Sequence, residues 1–282
     1  MTSRVLERSV NLIPWQARHW IKRIPLVAGL QRLFFRKFLS GRAFLHTINA
    51  GPAKGLVYPI SLPRDKAIWT GAYEKELAEA VARSVRQGDV CYDVGAHRGF
   101  FSGVFALAGA SSVIAFEPFP DNCAQLQLLF ANNPHLPLTF EQTAVGKDDG
   151  IVEFNVMPDS SMGKLASSSF QSDIESAAVL KVSVRSLDSL ISEGKYPAPQ
   201  IIKIDVEGAE VDVLQGARKT LFINKPLLFI EAHSRSLAAE CTALLKELRY
   251  RVSVFEDEPG REESSSLDVC HLVAAPLASN AS

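Results

Sequence analysis

The chain has 282 residues, 47% of them hydrophobic and 22% charged, the composition of an ordinary globular protein able to bury a sizeable core. Its formal net charge is −1, and no recognisable RNA- or DNA-binding module accompanies its basic residues, so a nucleic-acid partner is not expected. The four cysteines (Cys91, Cys123, Cys241, Cys270) form no C-x-x-C pair and no metal-ligand spacing; Cys91 and Cys270 fall inside apolar strand patterns and read as buried reduced thiols.

Charge is distributed unevenly. Residues 1–60 hold ten Lys or Arg and a single acid, Glu7, interleaved with Trp15, Trp20, Phe34, Phe35 and Phe38. Two readings stay open for this segment. It can make peripheral contact with an anionic membrane surface through residues 1–45, or it can pack as a helical extension whose length is limited by Pro14 and Pro25. The domain expectation is a basic helical extension over 1–55 and one α/β domain over 56–282. No apolar run reaches the ~18 residues of a membrane-spanning helix, and no secretory signal with an apolar core opens the sequence, so a cytoplasmic location is expected.

Further elements follow in order. Glu74–Arg86 reads as a helix with Leu77, Ala78, Val81 and Val85 on one face. Val90–Val94 is a strand and Phe100–Ala108 the helix after it; Ser112–Phe116 is a second strand and Asp121–Asn132 its helix. Leu138–Thr143 is a third strand. An insertion of β character follows, alternating over 151–156 and again over Val179–Val184, with the serine-rich stretch Ser160–Ser176 read as a mobile loop. Ile201–Ile204 is a fourth strand, Ala209–Leu221 a helix and Pro226–Glu231 a fifth strand. Ser236–Leu248 is helical, and Arg251–Phe255 and Leu267–Ala274 close the sheet. Alternating β and α units predict a doubly wound, mainly parallel sheet with ligands at the carboxyl ends of its strands.

Two segments carry the chemistry. Val90-Cys-Tyr-Asp-Val-Gly-Ala-His-Arg-Gly99 is a strand turning through glycine into a helix, and Val113–Glu117 is a strand ending in an acid. Such a pair suits a nucleoside cofactor, because a helix N-terminus offers N–H groups and a carboxylate accepts from ribose hydroxyls. A nicotinamide dinucleotide fits poorly, since its fingerprint needs glycine where this chain has His97 and Phe100. Downstream, Lys203-Ile-Asp205-Val-Glu207-Gly-Ala-Glu210 sets two carboxylates at i and i+2 on a strand end, starting on the same side.

This last block closely resembles the fourth-strand signature of the FkbM family of methyltransferases. Asp93-Val-Gly-Ala…Gly99, Glu117-Pro118, Trp69…Gly71-Ala72-Tyr73-Glu74 and Phe229-Ile-Glu-Ala-His233 match the same family in order, from about residue 50 onward. The resemblance implies a class I (Rossmann-like) methyltransferase fold, S-adenosyl-L-methionine as cofactor, and O-methylation of a sugar, glycan or specialised small molecule. On that reading Gly95, Ala96 and Gly99 form the turn against the methionine part, with Ser102 on the following helix in the same set. Asp93 orders the turn or reaches the amino group. Glu117, followed by Pro118, takes both ribose hydroxyls, and Ala144-Val145, at the end of the third strand, line the adenine edge. Tyr73-Glu74 cover the pocket, or Tyr73 simply staples the helix that follows.

For catalysis, His233 is expected as the general base for a hydroxyl acceptor, Asp205 as its orienter or a cofactor contact, with Glu207 beside it. Lys203 is a pocket-wall helper or a salt-bridge partner. Asp205, Glu207, Glu231 and His233 have residue types that can hold Mg²⁺ or Mn²⁺, yet the favoured reading is of two strand ends whose acids bind the cofactor and cap the following helix, where Glu207 and Glu210 suit the dipole, and no metal is expected. The 160–176 loop and the N-terminal segment are where acceptor choice is expected to be set. The rival functions are a nicotinamide-dependent oxidoreductase and a non-catalytic cofactor-binding or membrane-recruited protein.

Overall fold

Four of the five residues in Val90–Val94 are apolar, the pattern of a strand covered on both faces, and in the computed structural model this is an inner strand of a seven-stranded sheet. The structure describes residues 43–156, 163–165, 178–255 and 269–277. These fall into two compact units that divide after Lys75, not at the expected 55/56 boundary.

In the first unit, β1 (Ala43–Thr47) pairs antiparallel with β2 (Val57–Ser61), and α1 (Lys66–Thr70) follows. Residues 43–55, expected in a helical extension, are therefore a strand and a turn. The hairpin leaves Ile48, Leu56, Tyr58 and Ile60 buried, and that pattern of burial favours paired strands over a helix. Residues 1–42 lie outside the described residues.

The second unit contains α2 (Lys75–Ser84), which starts at the last residue of the first, and then β3 (Val90–Val94), α3 (Phe100–Leu107), β4 (Ser112–Phe116), α4 (Pro120–Asn132) and β5 (Leu138–Glu141). After them come β6 (Ala144–Val145), β7 (Gly150–Val156), β8 (Gly163–Leu165), β9 (Ala178–Arg185) and α5 (Leu187–Ser192). The chain ends in β10 (Ile201–Ile204), α6 (Glu210–Gln215), α7 (Arg218–Ile223), β11 (Leu227–Ala232), α8 (Arg235–Glu247), β12 (Tyr250–Val254) and β13 (Cys270–Pro276).

The main sheet runs β12-β13-β11-β10-β3-β4-β5, with β13 antiparallel to both its neighbours and the inner pairs parallel. This is the doubly wound order expected. Strand order reverses between β3 and β10, so a crevice opens at their carboxyl ends, where such sheets bind ligands. Tyr92, Val94, Ile114, Ile202, Ile204, Leu214 and Leu245 fill the core beneath it.

The insertion forms a separate four-stranded sheet, β6-β9-β7-β8. The serine-rich stretch lies outside the described residues except for 163–165, which form β8. The helix expected over 209–221 is two helices, split at Gly216-Ala217. A side chain at 216 would overlap the Gly146 carbonyl, so two backbone segments approach each other there. Helix α5 was not anticipated; Ser186 caps it by accepting from the Ser189 N–H at 3.1 Å.

Candidate active site

Four parallel strands end in register: Val94 pairs with Phe116 and Ile204, and Ile204 with Ile230. Gly95, Glu117, Asp205 and Glu231 therefore follow side by side at one end of the sheet, and Glu207 and His233 come two residues later, in the segments beyond β10 and β11.

The Gly95 turn is shaped by this neighbourhood. Gly95 and Ala96 both donate their N–H to the Phe116 carbonyl at 3.0 Å. Gly95 has φ +78°, and a side chain there would overlap the Asp205 carbonyl oxygen. Only glycine lets the turn lie directly on the Asp205 loop. His97, at φ +51°, donates its N–H to Glu117 Oε2 at 2.8 Å. Gly99 is the N-cap of α3 and supplies no side-chain cap, which suits that helix start to an anionic group.

Asp93 and Ser102 form one buried unit, the Ser102 hydroxyl donating to Asp93 Oδ2 at 2.6 Å. Burial pushes the Asp93 carboxyl up, while Lys203 and Ser102 pull it back. Ser102 is thus placed as the orienter of Asp93. Glu117 is 5% exposed and accepts three hydrogen bonds, from His97 N, Phe119 N at 2.9 Å and Asn122 Nδ2 at 3.3 Å. A carboxylate has about four acceptor sites, so taking both ribose hydroxyls requires the long Asn122 bond to open. Burial raises its pKa from 4.5 to about 7, opposed by the Phe119, Asn122 and His97 donors.

His233 is the centre of the remaining residues. Its Nδ1 lies 2.7 Å from Glu210 Oε1, and its Nε2 lies 3.3 Å from Glu207, 3.7 Å from Asp205 and 3.8 Å from Glu231. Burial disfavours the imidazolium, but the Glu210 hydrogen bond and the Asp205, Glu207 and Glu210 charges outweigh it and raise His233 from 6.5 to about 9. A protonated ring has no lone pair to take a proton, so the raised pKa weighs against the expected role of His233 as base. Glu207 moves the other way for a carboxylate, from 4.5 to about 7, through burial and the neighbouring acids Asp205, Glu231 and Glu210, against the pull of His233.

Lys203 is buried, 3.0 Å from Asp205 Oδ2 and 4.6 Å over the Phe101 ring. Its role as a salt-bridge partner is the one the geometry displays. Glu231 Oε2 meets His271 Nε2 at 3.3 Å across the antiparallel β11–β13 pair. Burial opposes its charge, yet His271, Lys203 and His233 hold the Glu231 carboxyl down at about 2.

Glu210 and His271 were missed as site residues. Glu210 entered only as an acid of the Lys203–Glu210 block at the start of the following helix, and His271 belongs to a strand whose insertion beside β11 no local pattern announces.

Ala144 and Val145 are not the end of the third strand, which stops at Glu141; they form β6 of the second sheet. Ala144 packs with Phe119, Val182, Val184 and Ala209, which sets the second sheet against the loop between Glu207 and Glu210. Pro118 is half-buried directly after Glu117. Tyr73 and Glu74 belong to the first unit.

Asp205, Glu231 and His233 bring ligand-type atoms within 4.8 Å of one another. A divalent ion there would have to displace the His233 proton and compete with the Lys203 ammonium already on Asp205.

The residues suit S-adenosylmethionine on their own chemistry: an N-terminus without a side-chain cap, a turn lying on an acidic loop, and a carboxylate ending the adjacent strand. The model of the methyltransferase FkbM domain matches residues 93–252, more than half of the chain. The hexuronic acid methyltransferase AglP of Haloferax volcanii is 25% identical over 184 residues, covering 64% of this chain and 71% of that protein. A solved methyltransferase FkbM from Methylobacillus flagellatus KT is 22% identical, with a TM-score of 0.48; the match covers 68% of this chain and 45% of the other. A SAM-dependent O-methyltransferase from Thermotoga maritima is 15% identical, with a TM-score of 0.44, covering 79% of this chain and 68% of the other. The chain belongs to the FkbM family of methyltransferases.

Proposed function

We propose that this methyltransferase uses S-adenosyl-L-methionine and methylates a hydroxyl of a sugar or glycan acceptor. The observation that carries the reading is the Gly95 turn lying directly on the Asp205 loop, with Glu117 at the adjacent strand end. A cofactor turn and an acidic acceptor loop then share one crevice. The hexuronic acid methyltransferase among the relatives supports a sugar acceptor. Neither the nicotinamide oxidoreductase nor the non-catalytic alternative finds support in the family match.

When bound, S-adenosylmethionine supplies a methyl group activated by its sulfonium. Glu117 would receive the ribose, opening its Asn122 bond to do so, and the N-terminus of α3 would offer its N–H groups to the amino-acid carboxylate. Asp93, held by Ser102, orders the turn from beneath. Lys203 fixes the Asp205 carboxylate at the mouth of the crevice. The His233 and Lys203 cations offset much of the charge of the four carboxylates around them, so that the acids are held in fixed positions rather than repelled apart. In-line transfer to an activated carbon rests largely on such positioning.

The test is calorimetric titration with S-adenosylmethionine and S-adenosylhomocysteine, followed by incubation with p-nitrophenyl glucosides, galactosides and glucuronides and mass analysis of the products. Both ligands should bind the wild type, Glu117→Ala should lose binding while still unfolding cooperatively, and a glycoside should gain an ether-linked methyl group. No binding by folded protein would overturn the cofactor assignment, and a methyl ester product would overturn the hydroxyl assignment.

A further inference from the structure

We propose, on the reading of the chain as a hydroxyl methyltransferase, that Glu207 takes the proton of the acceptor hydroxyl and that the buried Glu210–His233 pair positions it for that step. Glu207 stands in the loop after β10 whose backbone presses on the Gly95 turn, beside the place the methyl donor would occupy. Its backbone is left-handed, φ +53°, a conformation that costs a non-glycine residue about 1 kcal/mol and persists only where surroundings enforce it.

One buried oxygen supplies that enforcement. Glu210 Oε1 accepts from the Gly208 N–H at 2.9 Å and meets His233 Nδ1 at 2.7 Å. It therefore ties the residue after Glu207 to the imidazole whose other nitrogen lies 3.3 Å from the Glu207 carboxylate. Glu207 is held through its backbone and through its side chain by the same pair. Glu210 itself is fully buried, whereas the Glu207 side chain keeps 25% of its surface exposed. Glu210 is a positioning residue; Glu207 is the one that can reach an acceptor.

The other two partly exposed acids each have a second basic group beside them as well as His233. Asp205 is bonded to the Lys203 ammonium, and Glu231 to His271. Among the described residues, the charged and titratable groups facing Glu207 and its clamp include Lys203 from β10 and Asp205 just after it, Glu231 from β11 and His233 just after it, Glu210 from α6, His271 from β13 and the Cys241 thiol from α8. Their sum leaves Glu207 near 7 and His233 near 9, the first matched to accepting a proton near neutrality and the second to remaining a cation.

In the step, the acceptor O–H bond breaks as its oxygen forms a bond to the methyl carbon. The proton passes to a Glu207 carboxylate oxygen, and the electron pair of the breaking C–S bond stays on sulfur, neutralising the sulfonium. Glu207 then loses the proton to water.

The full chain tests this in two arms. In the first, ¹⁵N-histidine and ¹³C-glutamate NMR titrations follow His233 and Glu207 in the wild type and in Glu210→Gln. His233 should stay doubly protonated above pH 8 and Glu207 should titrate near neutrality, and both should move in Glu210→Gln. An ordinary histidine titration together with an ordinary Glu207 overturns the proposal.

In the second arm, kcat is measured against pH with S-adenosylmethionine and the glycoside that the panel identifies. Glu207→Gln should lower kcat about 100-fold and abolish the acid limb near pH 7, and Glu207→Asp should restore the limb in part. Glu210→Gln should lower kcat about 10-fold, shift the limb and leave KM within about threefold, the signature of an interaction made in the transition state. Glu207→Gln with an intact limb overturns this proposal alone. Failure of the wild type to bind S-adenosylhomocysteine overturns the underlying reading and this one with it. Where that ligand binds and no glycoside reacts, the NMR arm decides.

Discussion

Glu210 and His233, twenty-three residues apart in the chain, meet at 2.7 Å with both side chains buried. Glu210, with Asp205 and Glu207, outweighs burial and raises the pKa of His233 to about 9, while His233 in turn draws down the burial-raised Glu207 and helps to lower Glu231. Several consequences can be measured without knowing the acceptor.

Thermal stability should fall as pH rises from about 5 to 9. Glu117 and Glu207 titrate at 4.5 when unfolded and about 7 when folded, so between these values the native state holds protons that the unfolded state has released. His233 does the same between 6.5 and about 9. Stability then decreases with pH across both windows, by about 3 kcal/mol for Glu117 alone. The Glu231 contribution has the opposite sign, present above 4.5 and lost as pH falls toward 2. Denaturant melts at pH 5.5, 7 and 8.5 check the slope; a rise over this interval would contradict the charge assignments.

Lys203→Met should destabilise the fold by about 3 kcal/mol at pH 7, because it leaves the buried Asp93 and its neighbour Asp205 without their shared cation. The double variant Lys203→Met with Asp93→Asn should recover part of the loss. Equilibrium unfolding of the single and double variants measures the coupling, and strict additivity would argue against it.

Gly95→Ala should cost at least about 3 kcal/mol, from a left-handed backbone and a side chain driven into the Asp205 carbonyl. Gly150→Ala is the control, since no atom lies within 4 Å of a side chain there. Melting temperatures of the two variants should differ widely.

Chelation should leave methyl transfer unchanged. Lys203 already serves Asp205, and His233, its pKa raised to about 9, favours a proton over a divalent ion near neutral pH. Rates with EDTA and with added Mg²⁺ or Mn²⁺ provide the check; a tenfold loss on chelation that Mg²⁺ restores would put a metal in the site.

Much of the frame was legible locally. The strands at 90–94, 112–116 and 201–204 occupy the residues expected of them, because short apolar runs bounded by turn residues have few alternatives. The 209–221 helix was misjudged at Gly216, where another segment of backbone comes close, and a helical periodicity carries no sign of that. The extension to residue 55 was misjudged because a hairpin is specified by pairing with β2 rather than by residues 43–47 alone.

The amino-acid sequence by itself determined the alternation of strands and helices, the glycine turn, the acid after β4 and the carboxylates after β10, since each is written in neighbouring residues. Only the tertiary structure decided what those groups do. It brought Glu210 and His271, from elements distant in the chain, against His233 and Glu231. Ionisation in a buried site depends on charges within a few ångströms and on exclusion of water, and those neighbours exist only once the sheet has closed.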